Sequence, residues 1–239
     1  MGKVILFDLD GTLIPADTES FIKDYMLSLA NYIKDYFPVE VFMKGLLTST
    51  EAMVKNVDGR LTNQEVFMKS FLMLTGFDEG KIMPVLEDFY EIEFPKLERH
   101  IKSTELSRTV VETALNQGRR VVIATNPLFP LVAVNERLRW VNLDDIEYAL
   151  VTSYENSRFC KPQIEYYREI LEKLDADPLE TIMVGNDMQE DMVAAELGVR
   201  TYLVKDYLID REHGQYRIDQ HGSFEDLRHD INNKSGIFA

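Results

Sequence analysis

Cysteine, tryptophan and histidine are all scarce in this chain, with one, one and four copies. With Cys160 alone no intrachain disulfide can form, and a reducing cytoplasm is the expected compartment. Basic residues are also in deficit: 26 Lys and Arg stand against 41 Asp and Glu, a formal charge of −15. A surface of that sign does not suit a nucleic-acid backbone or an anionic membrane, so neither partner is expected. Long apolar runs are missing too, and none would cross a bilayer. The first, "VILF" at 4–7, is cut off by Asp8 and is too short for the apolar segment of a signal peptide. "MGKVIL" lacks the Ser or Thr of a myristoylation signal. The four histidines show no metal-ligand spacing, and Cys160 reads as a small buried residue rather than a nucleophile.

What is present is enough apolar residue for a core, 45% of the chain, arranged in two different ways. "KVILF", "RRVVIAT" at 119–125 and "ETIMVGND" at 180–187 are short and continuously apolar, the pattern of strands buried on both faces. "EYALVTS" at 147–153 and "RTYLV" at 200–204 are weaker examples. Helical patterns separate them: "STELSRTVVETALNQG" with Ser103 or Thr104 as cap and Gly118 as stop, "KPQIEYYREILEKL" with Ile164, Tyr167, Ile170, Leu171 and Leu174 on one face, and the short "DMVAAELG". Regular alternation of strand and helix predicts an α/β fold with a parallel sheet.

The stretch from 15 to 100 has no convincing strand. Phe21, Tyr25, Leu29 and Ile33 recur every fourth residue, and "TNQE" at 62–65 has the form of a capping box. Met26, Met43, Met53, Met68, Met73 and Met83 read as gap-fillers between helices. This segment is expected to be an inserted all-helical cap domain, with 1–14 and 101–239 forming the core. In the polar tail, "EHGQYRIDQHG" suggests a hairpin and "SFEDLRHDI" a final helix.

Ligands of an open parallel sheet bind beyond the carboxyl ends of its strands. There the first strand delivers Asp8 and Asp10, and the second Thr125 and Asn126. Lys161 follows the next strand, and Asn186, Asp187 and Asp191 follow another. Each alone has an ordinary explanation: "DG" is a common turn pair, a lysine is usually solvated, and acidic residues favour helix starts. Together they combine carboxylates for a hard cation with donors for an anion.

On these residues the chain resembles the haloacid dehalogenase (HAD) superfamily. Four motifs match in order: "DLDGT" at Asp8, "IATN" at Thr125, "KP" at Lys161 and "VGNDMQED" around Asp187. The resemblance implies a Rossmann-like three-layer core with strand order 5-4-1-2-3 and a helical C1-type cap. It also implies a magnesium-dependent phosphatase acting on a small phosphorylated metabolite. Asp8 would be the nucleophile, forming an aspartyl phosphate, and Asp10 would be the acid and then the base, a duty suited by a raised pKa. Thr125 and Lys161 would hold the phosphate, with backbone N–H groups near Leu9 and Asn126. Mg2+ would lie on Asp8, the Asp10 carbonyl and a residue of the fourth motif.

One position departs from the family, which places an aspartate directly after the glycine of the fourth motif. Here Asn186 follows Gly185, and Asp187 comes next. A hard divalent ion prefers a carboxylate, so Asp187 is the favoured ligand over Asn186, with Asp191 as a further ligand or as the group orienting Lys161. A phosphomutase, a halide-displacing hydrolase and a non-catalytic phosphate-binding protein are the competing readings. Substrate choice would lie in the cap, where Tyr25, Tyr36, Lys44 and Arg60 are the residues to place.

Overall fold

The computed structural model describes residues 3–101, 105–212 and 215–239. Strands β1 (Val4–Phe7), β2 (Arg120–Ile123), β3 (Leu150–Val151), β4 (Thr181–Gly185), β5 (Arg200–Val204) and β6 (Gln220–Gly222) form one parallel sheet in the order β3-β2-β1-β4-β5-β6. The first five strands take the order that the family resemblance implies. β1 lies at the centre because it is apolar and buried at every position.

Alternation along the strands divides the core into two layers. Ile5, Phe7, Val121, Ile123, Ile182 and Val184 belong to one cluster, together with Val110, Val111 and Ala114 of α5 (Glu105–Asn116) and Leu227 and Ile231 of α8 (Phe224–Asn233). Val4, Leu6, Val122 and Met183 belong to the other, with Tyr166, Tyr167 and Ile170 of α7 (Ile164–Leu174). The period-2 side-chain direction of a strand thus produces the helix–sheet–helix sandwich.

Two expectations for the sheet change. The tail forms no hairpin among the described residues; Gln220–Gly222 instead adds in parallel to the edge of β5, with the Lys205 N–H on the Gly222 carbonyl at 2.9 Å. That pairing satisfies backbone groups on the β5 edge, and the Ser223 capping box then starts α8. Residues 213 and 214 of that segment, and the cap candidates Ser103 and Thr104, lie outside the described residues. β3 is only two residues long, and just beyond it the Thr152 hydroxyl donates to the Thr125 carbonyl at 2.7 Å.

Between β1 and α5 the chain runs through α1 (Thr18–Ile33), α2 (Val39–Val54), α3 (Asn63–Thr75), α4 (Glu79–Ile92) and a 3-10 segment, Phe94–His100. Phe21, Tyr25, Leu29 and Ile33 are the buried face of α1, and Thr62 and Glu65 form the expected capping box on α3. Of the six methionines, Met53 and Met68 are buried and Met26, Met43 and Met83 partly so, but Met73 is 77% exposed. Aromatic contacts join these helices to α6 (Leu131–Trp140) and the loop before it. Phe94 stacks on Trp140 at 5.4 Å, and Phe21 and Tyr25 lie 5.9 Å from Trp140 and 5.1 Å from Phe129. Phe94 is fully buried at this junction. Phe94→Ala should therefore lower the unfolding free energy by about 3–5 kcal/mol, read as a fall in the urea midpoint.

Candidate active site

The site begins where β1 runs out. Asp8 still donates its N–H to the Val184 carbonyl at 2.9 Å, so its side chain is held at the end of the sheet. The chain then turns through Gly11 at φ +82°, a left-handed conformation that suits glycine. A Cβ there would also collide with the Asn186 carboxamide, so the first and fourth motifs touch at this glycine.

Lys161 links three of the motifs. Its ammonium donates to Asp8 Oδ1 at 2.8 Å and to Asp191 Oδ1 at 2.6 Å, with all three groups buried. Burial works against this cation, but Asp191 and Asp8 outweigh it and hold the Lys161 pKa well above the ordinary lysine value. Burial also pushes the Asp8 and Asp191 carboxyls upward, against the pull of Lys161. One cation shared by two carboxylates leaves the group a net anion. The second Asp191 oxygen accepts the Asp187 N–H at 2.9 Å, and a side chain at Gly185 would strike that carboxylate.

Asp10 is paired through Oδ2 with the guanidinium of Arg137, which is 1% exposed and lies 4.7 Å over the Phe129 ring. Arg137 was not a sequence candidate. Its signal is a cation on the apolar stripe of α6, beside Ala133, Val134 and Leu138. Arg211, from the tail, carries no comparable signal.

Asp187 and Asn186 both reach the cleft, in different states. Asp187 Oδ1 accepts the Gln189 and Glu190 N–H groups, each at 2.9 Å, and Arg211 holds both of its oxygens at 2.8 and 2.7 Å. Among the described residues, Asn186 Oδ1 accepts only the Thr12 hydroxyl, at 3.0 Å, while its amide donates to the Tyr207 carbonyl at 2.6 Å. The Asn126 side chain joins neighbouring loops, donating to Glu190 Oε2 at 3.0 Å and accepting the Lys161 N–H at 3.2 Å. Thr125 is buried on the cleft, and its carbonyl accepts from Thr152 and from Tyr166 at 2.9 Å. Leu9 is buried, so only its backbone could serve a ligand. Cys160 is buried beside Asn63 and its thiol is pushed up to about 12 by burial, which makes it inert.

The cleft, of about 170 Å3, brings together Asp8, Asp10, Thr125, Asn126, Asn186, Asp187 and Asp191, with Arg137, Glu190 and Arg211. Five carboxyl groups face the three cations Arg137, Lys161 and Arg211 and outnumber them by two. A divalent cation fits that excess. No ready-made cluster of three or more metal-binding side chains occurs among the described residues. A cation would therefore draw on backbone and carboxamide oxygens as well.

Residues 3–198 match the family of haloacid dehalogenase-like hydrolases. The chain belongs to that family. The pyrophosphatase PpaX of Bacillus cereus (strain Q1) is 24% identical over 202 residues, covering 84% of this chain and 82% of that protein. In fold, the L-2-haloacid dehalogenase of Xanthobacter autotrophicus superposes with a TM-score of 0.57 at 15% identity, covering 98% of this chain and all of that one. The magnesium-bound HAD-hydrolase YfnB of Bacillus subtilis gives 0.56 at 18% identity, covering 97% and 99%. The protein is thus a hydrolase of the HAD type, on the Rossmann-like sheet described above.

Lys161→Met should leave Asp8 and Asp191 buried without a counter-charge. We expect a loss of about 3–5 kcal/mol in urea unfolding, part of it recovered when Asp191→Asn is added to the same chain.

Proposed function

We propose that this HAD hydrolase is a magnesium-dependent phosphatase that cleaves a small phosphomonoester through an aspartyl phosphate on Asp8. One observation carries the reading: the Asp8 carboxylate directly follows the central strand, on the cleft, with Oδ1 fixed by the buried Lys161 ammonium. A nucleophile needs such a fixed direction toward the reacting atom.

Asp8 attacks phosphorus, and an oxygen–phosphorus bond forms as the ester oxygen leaves. Asp10 protonates that oxygen, then takes a proton from the water that hydrolyses the aspartyl phosphate. Arg137 holds Oδ2 of Asp10, which leaves Oδ1 to carry the proton. Lys161 and Thr125, with backbone N–H groups near Leu9 and Asn126, stabilise the charge on the phosphoryl oxygens. Bound magnesium would offset the repulsion between carboxylates and phosphate.

Asp8 and the main-chain oxygen of Asp10 would hold the ion. For the third position the geometry turns the preference from Asp187 to Asn186. The Asp187 carboxylate already serves two backbone N–H groups and a guanidinium, whereas the Asn186 oxygen has a single donor and lies against Gly11. Asp191 then orients Lys161 and does not ligate.

Residues 15–100 would act as the cap over this cleft. The dehalogenase shares the fold, but a proton carrier such as Asp10 suits an oxygen leaving group better than a halide, which needs no proton. The absence among the described residues of any helix long and apolar enough to cross a membrane, and the single inert cysteine, fit the cytoplasm.

Phosphate release from an aryl phosphate should require magnesium and stop with excess chelator. Asp8→Asn should lower kcat by on the order of 10^3-fold or more; activity that survives the change contradicts the mechanism. Asn186→Ala should raise the magnesium concentration for half-maximal rate roughly tenfold or more. Arg211→Ala should leave that concentration unchanged; a marked fall would show that Asp187, once released, is the ligand.

A further inference from the structure

An apolar cavity lies between the inserted helices and the loop after β2. Its volume is about 470 Å3. It shares Ile22, Leu128 and Phe129 with the catalytic cleft, so the two spaces adjoin at these residues. Met26, Met68 and Met83 pack in the helical core and also line this space. Flexible thioethers suit the walls of a pocket that adapts to an apolar guest.

Some polar groups of the cavity are already engaged, while Thr50 and Glu87 also line it. The Tyr25 and Tyr90 hydroxyls pair at 3.0 Å, and both Glu155 oxygens accept the Leu131 N–H at 3.0 Å at the start of α6. Among the described residues, no lysine, arginine or histidine lines it. A second phosphate would meet no cation there, and most of the wall is apolar. Size, apolar walls and a polar reaction centre at one end are the properties of a small-molecule pocket.

Building on the phosphatase reading, we propose that the substrate is the phosphomonoester of an apolar alcohol, whose aryl or alkyl group fills this cavity while its phosphate meets Asp8. Burial of apolar surface then supplies the specificity. Each added methylene should raise kcat/KM about two- to fourfold until the cavity is full.

The test is a series of linear alkyl phosphates from methyl to hexyl, with 1-naphthyl phosphate, a hexose phosphate and inorganic pyrophosphate for comparison. We expect kcat/KM to rise by at least about thirtyfold from methyl to hexyl, and both hexyl and naphthyl esters to exceed the hexose phosphate and pyrophosphate. A flat series, or a preference for either polar compound, overturns the inference but leaves the phosphatase reading intact. Leu46→Trp, which places bulk in the cavity, should lower the hexyl-to-methyl ratio about tenfold or more; an unchanged ratio in a folded variant overturns the inference. If that variant does not fold, inhibition of the unaltered enzyme by free hexanol but not by glycerol serves the same purpose, and equal inhibition by both counts against it. Failure to hydrolyse any ester would overturn the phosphatase reading instead. Calorimetric titration with 1-naphthol would then judge the cavity alone: saturable binding supports an apolar guest, and no binding removes it.

Discussion

The site depends on one ammonium group. Lys161 stands between Asp8 and Asp191 inside the protein, and each partner answers a cost created by the others. Without the lysine, two buried carboxylates would repel; without them, a buried ammonium would lose its proton. The same contacts join three separate pieces of chain: the end of β1, the start of α7 and the turn after β4. The parallel sheet brings these ends to one edge, and the charge trio fixes their mutual distance. Catalytic geometry and local stability are therefore one property here.

Around that trio the cleft is built from paired charges that leave an anionic surplus. Arg137 on Asp10 and Arg211 on Asp187 place guanidinium groups within a chain whose formal charge is −15. An anionic substrate approaching a mostly acidic surface meets these cations only at the cleft. Arg137 is also packed on Phe129, which belongs to both the catalytic cleft and the apolar cavity. Asp10 and the apolar cavity are thus linked through Arg137 and Phe129.

Much of this was legible in the residues, for physical reasons. β1, β2 and β4 announce themselves because a strand buried on both faces must be continuously apolar, and their ends identify Asp8, Thr125 and the fourth motif. The four-residue period of Phe21, Tyr25, Leu29 and Ile33 fixes the buried face of α1. Contacts that depend on long-range return of the chain were not legible. Arg211 reaches Asp187 from 24 positions away, and nothing in local pattern marks it. The preference for Asp187 as a metal ligand rested on carboxylate chemistry alone, and the Arg211 pair changes that balance. β6 looked like half of a hairpin because its edge partner is β5, which precedes it across a polar loop.

The central claim is that Asp8 carries the phosphoryl group. The most direct measurement is acid quenching of the Asp10→Asn protein during turnover with magnesium and an aryl phosphate, followed by mass spectrometry of the peptide containing Asp8. The account predicts a phosphoryl group on Asp8, because the water that should remove it has lost its base. Phosphorylation of another residue, or none while phosphate is still released, would contradict it.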